Sequence, residues 1–98
     1  MEQIINADIN DLEKYNLEEL FELCSNFIKK NIDNVENKDK LYLYKYYKQA
    51  TIGNINIPEP SWYDFVGKEK YKAWKSLENK SKRLCMENYI KMTKSLLN

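Results

Sequence analysis

The sequence predicts an all-α domain of four helices without a sheet. Glycine and proline, which most often interrupt helices, occur only in the middle of the chain, at Gly53, Pro58, Pro60 and Gly67. On both sides of this stretch, apolar residues recur at spacings of three and four, which is the period of an amphipathic helix. A length of 98 residues leaves room for one folded domain of this kind.

The first helix is predicted over residues 17–31. Asn16 is the expected N-cap, and Glu18 and Glu19 place negative charge in the first turn, where the helix dipole favours it. The face that we expect to be buried contains Leu17, Leu20, Phe21, Cys24, Phe27 and Ile28.

A second helix is predicted over residues 37–52, after a short polar break. Gly53 follows it and is expected to end it in the left-handed conformation that is common at helix C-termini. Residues 54–66 contain both prolines, which hold their neighbours extended, so this segment is predicted to be a long loop.

Two further helices complete the predicted domain. The third is expected over residues 67–78, and Ser81 is expected to cap the fourth. The fourth helix should bury Cys85, Met86, Tyr89, Ile90, Thr93, Leu96 and Leu97. Residues 1–15 are acidic and only weakly periodic, so we interpret them as an N-terminal extension to a domain that spans residues 16–98.

The residue types exclude several kinds of catalytic and cofactor site. The chain has no histidine, so the Cys-His and Ser-His pairs of nucleophilic catalysis are absent. Its two glycines cannot form the glycine-rich loops that bind dinucleotides or nucleoside triphosphates. Cys24 and Cys85 are too few for a zinc site, and we expect both to be buried, reduced thiols. We therefore predict a protein without catalytic residues, metal or cofactor.

The sequence contains no sign of a membrane span or a secretion signal. The longest uninterrupted apolar run, residues 41–44, is far shorter than the ~20 residues that a bilayer requires. The first residues lack a basic stretch, an apolar segment and a glycine at position 2. We expect a cytoplasmic monomer whose contact with membranes is at most transient.

Charge is distributed unevenly, although the net charge is only +1. Residues 1–39 contain ten acidic residues and four lysines, a balance of −6, whereas residues 40–98 contain twelve basic and five acidic residues, a balance of +7. The second half of the chain is therefore expected to meet an anionic ligand.

The second helix contains the clearest candidate for a binding site. Tyr44, Tyr47 and Lys48 fall at positions i, i+3 and i+4, so two phenol rings and one ammonium group share a face. Such a face suits an aromatic base, whose stacking contributes about 1 to 3 kcal/mol, together with a phosphate. Two other interpretations remain open at this point: a tyrosine-rich core helix with solvated lysines, and a basic helical module that binds nucleic acid or another protein.

Two segments resemble a known family. They read LYKYYKQATIGNIN over residues 43–56 and DFVGKEKYKAW over residues 64–74, with Pro60 between them. At this separation they resemble the signature of the acyl-CoA-binding protein family, and the resemblance extends over residues 17–98. It implies an up-down-down-up four-helix bundle that binds medium- to long-chain fatty acyl-CoA esters as an intracellular carrier and pool former, without catalysis.

The resemblance also implies a set of ligand-binding residues. The set comprises Lys29, Tyr44, Lys45, Tyr46, Tyr47, Lys48, Lys70 and Tyr89. Tyr47 would face the adenine, while Lys48 and Lys70 would reach the ribose 3′-phosphate. Lys45 and Tyr46 belong to the set because they lie within the matching segment, although they point away from the expected binding face.

The chain departs from the family pattern at a few positions. Tyr71 stands where tryptophan is usual, and Val66 stands where lysine is common. Cys24 and Cys85 replace the small residues that usually pack helix against helix, which leaves a close cysteine pair open.

An acyl-CoA ester also requires an apolar groove for its hydrocarbon chain. The candidate residues are Phe27, Ile28, Leu41, Ile57, Trp62, Tyr63 and Met86, most of which would suit a protein core equally well. Each buried methylene contributes about 0.8 kcal/mol, so affinity is expected to rise with chain length.

Overall fold

The fold consists of four α-helices, described in a computed structural model over residues 15–97. The helices are α1 (Leu17–Lys30), α2 (Asn37–Thr51), α3 (Phe65–Lys75) and α4 (Lys82–Leu97), and a short 3₁₀ turn (Ile32–Asn34) follows α1. No strand occurs in this part of the chain, so the predicted all-α class is confirmed. Residues 1–14 of the predicted N-terminal extension lie outside the described residues.

Helices α1 and α4 run parallel to each other. The rings of Phe21 and Tyr89 meet edge to face at 5.0 Å between centroids. One turn further along both helices, Cys24 lies within hydrogen-bonding reach of Thr93. Because the contacts advance in the same direction along the two helices, α1 and α4 point the same way.

Helix α2 runs antiparallel to α4. Tyr47 contacts Tyr89 with 6.1 Å between ring centroids, whereas Gln49, further along α2, donates a hydrogen bond to the carbonyl of Lys80, just before α4 begins. Later residues of α2 therefore contact earlier residues of the α4 region, and α2 points in the direction opposite to α1 and α4.

Helix α3 runs parallel to α2, which completes the predicted up-down-down-up arrangement. The ammonium of Lys70 lies 5.3 Å from the ring centroid of Tyr44, and one turn later on both helices the ammonium of Lys48 lies 5.7 Å from the ring of Trp74. Two neighbouring helices thus point in the same direction and require a long connection.

Local chemistry determines where the helices begin and end. The Asn16 side chain accepts hydrogen bonds from the N–H groups of Glu18 and Glu19, at 2.8 and 3.4 Å, which satisfies two donors at the start of α1. Gly53 has a φ of +98°, which confirms the predicted left-handed end of α2. Ser81 Oγ accepts a hydrogen bond from the Leu84 N–H at 3.1 Å and caps α4 as predicted.

Helix α3 begins two residues earlier than predicted and ends three residues earlier. Its start is set by Asp64, whose carboxylate accepts a hydrogen bond from the Gly67 N–H at 3.0 Å. A Cβ on Gly67 would collide with that carboxylate, so glycine makes room for the cap inside the helix. At the other end, Asn79 adopts a φ of +71° in the turn that leads to α4.

The hydrophobic core is built mainly from α1, α2 and α4. Its buried members are Leu20, Phe21, Cys24, Ile28, Leu43, Ala50, Leu77, Cys85, Tyr89 and Ile90. Cys24 and Cys85 are both buried and free. Cys24 contacts Thr93, which lies eight residues beyond Cys85 and so about 12 Å further along α4. The two thiols therefore sit at different levels of the bundle and do not form a close pair.

A buried polar network joins α2 to the segments around it. Gln49 is only 1% exposed, and its amide donates hydrogen bonds to Asn54 Oδ1 at 3.0 Å and to the Lys80 carbonyl at 3.1 Å. Its oxygen accepts a hydrogen bond from the indole N–H of Trp74 at 3.2 Å, and that N–H also reaches the Gly53 carbonyl at 2.8 Å. These bonds fix the position of α3 and of the α3–α4 turn against the end of α2.

Candidate functional site

The bundle contains an open cavity of about 600 Å³, a size typical of small-molecule sites. Residues from all four helices and from the 3₁₀ turn surround it. They are Ile28, Lys29, Ile32, Asn37, Lys40, Leu41, Leu43, Tyr44, Tyr47, Val66, Glu69, Lys70 and Tyr89. Three of them are lysines and one is a glutamate, so the lining carries an excess of positive charge.

One face of α2 forms the centre of the cavity wall. Tyr44 and Tyr47 line it together, as their spacing of three residues along a helix dictates. Tyr47 also stacks on Phe21 with 5.7 Å between centroids, so the core holds its ring while the half-buried residue still lines the cavity. The wall therefore presents flat aromatic surfaces in a fixed orientation.

Two ammonium groups from separate helices converge on one of these rings. Lys48 Nζ lies 5.9 Å from the Tyr44 centroid, and Lys70 Nζ, on α3, lies 5.3 Å from the same centroid. The two nitrogens are therefore no more than about 11 Å apart, and an anion placed between them would neutralise both. The parallel pairing of α2 with α3 creates this arrangement.

A third ammonium lies on the α1 side of the cavity. Lys29 Nζ is 5.7 Å from the Tyr47 ring centroid and lines the cavity together with that ring. Cations thus flank the aromatic wall from α1 and from α3. Such a wall suits a ligand that combines an aromatic ring with several negative charges.

The phenols of Tyr44 and Tyr89 are electrically neutral near neutral pH. Burial raises the pKa of the Tyr44 phenol, and it raises the pKa of Tyr89 more strongly because that ring is almost fully buried. Neutral phenols leave the positive charge of the lysines uncompensated. They are also poor general bases, which makes proton abstraction by these groups an unfavourable use of the site.

The cavity surface also has an apolar part. Ile28 and Leu43 are buried and form its floor, while Leu41 and Ile32 are half-exposed or exposed along its side. The cavity therefore offers two environments, one aromatic and cationic, the other hydrocarbon.

The structure brings most of the predicted site residues together. Lys29, Tyr44, Tyr47, Lys70 and Tyr89 line the cavity. Lys48 is not among the lining residues, but its ammonium lies 5.9 Å from the ring centroid of Tyr44, which does line the cavity.

Lys45 and Tyr46 lie on another face of α2 and do not line the cavity. The Lys45 ammonium lies 5.2 Å from the Tyr42 ring centroid and 5.4 Å from that of Tyr46. Tyr46 packs against the core, and its ring meets that of Tyr42 at 4.8 Å. This placement agrees with the orientation expected for the two residues, and any ligand role of theirs stays a prediction.

The predicted groove residues divide between the cavity and other environments. Ile28 and Leu41 line the cavity, and Phe27 packs against the core. In contrast, Trp62 and Tyr63 are exposed in the loop and do not belong to the lining.

Several polar and apolar lining residues are not among the predicted site residues. Lys40 and Asn37 precede Tyr44 by four and seven residues, so extending the same helical spacing back by two turns would have found them. Val66 and Glu69 lie on α3, and only the packing of α3 against α2 brings them to the cavity.

Other kinds of site are not evident in residues 15–97. No group of three or more acidic, cysteine or histidine side chains is placed to hold a metal ion there. The described helices are also too short or too polar to cross a bilayer.

Comparison with known proteins gives one consistent family. A family model described as "Acyl CoA binding protein" matches residues 18–93. An acyl-CoA-binding domain-containing protein 6 homolog from Dictyostelium discoideum is 40% identical over 83 residues, which cover 82% of this chain and 29% of that protein. Acyl-CoA-binding domain-containing protein 2 from Oryza sativa subsp. japonica is 41% identical, with 83% of this chain and 89% of that protein covered. The chain thus spans less than a third of the length of the Dictyostelium relative.

Solved structures agree with the sequence relatives. The crystal structure of Oryza sativa Acyl-CoA-Binding Protein 2 superimposes with a TM-score of 0.77 at 40% identity, covering 84% of this chain and 91% of that one. The structure of ACBP from Moniliophthora perniciosa gives a TM-score of 0.68 at 32% identity, covering 76% of this chain and 74% of that one. None of these comparisons favours a nucleic-acid-binding module.

Proposed function

The chain belongs to the acyl-CoA-binding protein family, and on this basis we propose that it binds medium- to long-chain fatty acyl-CoA esters. It acts as a carrier and pool former for them and carries out no reaction on them. The observation that carries the proposal is the cavity itself, which joins a cation-flanked aromatic wall to an apolar floor. An acyl-CoA ester has the matching parts: an adenine ring, phosphates and a hydrocarbon chain.

The nucleotide part of the ligand is assigned to α2 and α3. The adenine lies against Tyr47, and the ribose 3′-phosphate lies between the ammonium groups of Lys48 and Lys70. Lys29 contributes positive charge from the α1 side of the site. Support for this assignment comes from the contact of both Lys48 and Lys70 with one ring, which keeps the two ammonium groups within about 11 Å of each other.

The hydrocarbon part supplies most of the binding free energy. At about 0.8 kcal/mol for each buried methylene, ten methylenes contribute on the order of 8 kcal/mol. A charge-assisted hydrogen bond contributes about 1.5 to 3 kcal/mol. The acyl chain therefore dominates affinity, while the lysines and tyrosines select the CoA head group.

A carrier role fits the chemistry of the lining better than catalysis does. The phenols of Tyr44 and Tyr89 have raised pKa values and are not poised to accept a proton. We place the protein in the cytoplasm as a monomer that needs no cofactor. Native mass spectrometry of the purified protein tests the oligomeric state and reports the mass of any ligand that remains bound.

Titration calorimetry tests the proposal directly. One-to-one binding is expected, with affinity increasing from CoA through octanoyl-CoA to palmitoyl-CoA. Leu41→Asn, in the apolar side of the cavity, should weaken palmitoyl-CoA binding and leave CoA binding unchanged. Leu96→Asn is the matched control because Leu96 is exposed near the end of α4 and outside the lining. Equal affinities for CoA and palmitoyl-CoA would contradict the carrier function.

A further inference from the structure

The end of the α2–α3 connection and the first residues of α3 expose an unusual amount of apolar, mostly aromatic surface. Trp62 is 76% exposed, Phe65 is 73% exposed, and Tyr63 and Val66 are exposed by about two thirds. The rings of Trp62 and Tyr63 contact each other edge to face at 5.6 Å. We refer to residues 61–66 as the aromatic turn. Contiguous exposed apolar side chains of this kind mark interaction surfaces.

The aromatic turn is held in a defined conformation. The Asp64 N–H donates a hydrogen bond to the Ser61 carbonyl at 3.0 Å, which closes a turn with Trp62 and Tyr63 at its tip. The Asp64 carboxylate is itself engaged by the Gly67 N–H. The backbone of the turn is therefore ordered before a partner binds, which reduces the conformational entropy lost on docking.

The neighbouring face of α3 is basic. Phe65, Lys68, Lys72 and Lys75 follow one another at spacings of three and four, on the side of the helix opposite the buried Trp74. Glu59 pairs with Lys68 at 3.8 Å, and Glu69, one turn after Phe65, is an exposed acidic residue at the edge of this face. An aromatic tip thus adjoins a row of lysines on one outer surface.

This surface is continuous with the cavity. Val66 belongs to the aromatic turn, is exposed to solvent and also lines the cavity. A partner that covers the aromatic turn therefore reaches the cavity's mouth. Trp and Tyr rings beside lysines match the interfacial zone of an anionic bilayer, where rings enter the head-group region and ammonium groups meet lipid phosphates.

We propose that the aromatic turn and the basic face of α3 dock on an anionic lipid surface, with the cavity's mouth beside the bilayer. The ligand is itself an amphiphile, so docking there lets its hydrocarbon chain pass between bilayer and cavity without crossing bulk water. This proposal rests on the proposed function for its purpose, but the docking step needs no acyl-CoA and is measured without it.

Tryptophan fluorescence tests the docking directly. Trp74 is only 1% exposed, so changes in emission on adding vesicles report on Trp62. Ligand-free protein mixed with vesicles of phosphatidylcholine and phosphatidylserine should show emission at shorter wavelength and quenching by brominated lipid. Vesicles of phosphatidylcholine alone should give a much smaller change, and added salt should weaken the response. An emission spectrum unchanged by the anionic vesicles would overturn the proposal.

Substitutions that keep Trp62 as the fluorescent reporter separate the contribution of the apolar side chains to vesicle binding from that of the lysines. Phe65→Ser should weaken vesicle binding about tenfold, and Lys72→Gln about fivefold. Lys91→Gln is the matched control because Lys91 is an exposed lysine on α4, and it should leave vesicle binding unchanged. If Lys91→Gln weakened binding as much as Lys72→Gln, only non-specific charge attraction would remain, and the proposed surface would be wrong.

The same measurements distinguish docking on lipid from contact between copies of the chain. They also separate a failure of the docking proposal from a failure of the proposed carrier function. An emission shift that follows protein concentration without vesicles would assign the aromatic turn to contact between copies of the chain and overturn docking on lipid. Failure of the vesicle response, with palmitoyl-CoA binding intact, overturns only the docking proposal. A vesicle response without acyl-CoA binding contradicts only the carrier function.

Discussion

Lys48→Ala and Lys70→Ala test whether the two lysines bind the same phosphate group of the ligand. Both ammonium groups lie within 6 Å of the Tyr44 centroid, although they come from different helices. If the ribose 3′-phosphate binds between them, each substitution should weaken binding of an acyl-CoA ester and have little effect on the 3′-dephospho form of the same ester. The comparison isolates one phosphate on the ligand and one ammonium on the protein.

The size of the increase in Kd shows whether a lysine contacts the phosphate directly or attracts it only from a distance. Loss of a charge-assisted hydrogen bond costs about 1.5 to 3 kcal/mol, which corresponds to a roughly 10- to 150-fold increase in Kd. A cation that merely lies about 11 Å from the phosphate in water contributes only about 0.4 kcal/mol, or about twofold, and physiological salt reduces this further. A tenfold or greater effect that disappears with the dephospho ester therefore requires contact.

Titration calorimetry with both esters gives the four affinities needed for each lysine. The matched control is Lys91→Ala, which removes an equal charge from the exposed surface of α4. Circular dichroism should show unchanged helicity in all three variants. If Lys48→Ala weakened the two esters equally, the phosphate assignment would be wrong, and the lysine would act on another part of the ligand or on the fold.

Three further predictions concern the stability of the bundle. Gln49→Leu should lower the free energy of unfolding in urea by about 1 to 3 kcal/mol because buried hydrogen-bond partners lose the amide, and a loss below 0.5 kcal/mol would refute a stabilising role for the network. Gly53→Ala should lower the free energy of unfolding by about 1 to 2 kcal/mol because the φ of +98° is unfavourable for an L-residue. A steric clash is not the cause, since a Cβ would meet only the side chain of Lys82, at 3.6 Å. A D-alanine at this position should therefore restore stability. Burial raises the pKa of the Cys24 thiol from 9.0 to about 11. As pH rises, the thiol therefore loses its proton in the unfolded chain before it does so in the folded protein. The stability that the buried, protonated thiol contributes is complete below about pH 9 and is lost as pH rises through about 11. Urea unfolding at a series of pH values should show this decline and a smaller one in Cys24→Ala, and identical pH slopes would contradict the assignment.

The helix ends could be predicted where a single side chain or glycine determines them. Asn16, Gly53 and Ser81 each act on backbone groups within a few residues, so their type and position were sufficient. The start of α3 lies two residues before the predicted one because Gly67 does not interrupt the helix. In the structure the cap is Asp64, and Gly67 is the helical residue that makes space for its carboxylate.

The candidate site was predictable where it follows helical spacing and the family motif. Tyr44, Tyr47 and Lys48 share a face of one helix, and the motif added Lys70 from another. The buried role of Gln49 was not predictable, because two of its three partners lie 25 and 31 residues further along the chain. A polar residue in a helix gives no sign of burial until such distant partners are known.

The parallel orientation of α2 and α3 sets a minimum length for the chain between them. Because Gly53 contacts Trp74 near the end of α3, residues 52–64 must return along nearly the whole of that helix, a distance of about 16 Å for its eleven residues. Thirteen residues can reach about 40 Å when extended, more than twice this distance. The excess length is taken up in a tight turn on the outside of the bundle. This crossover can therefore change its length and outer residues at little entropic cost, while the helices that it joins keep their alignment.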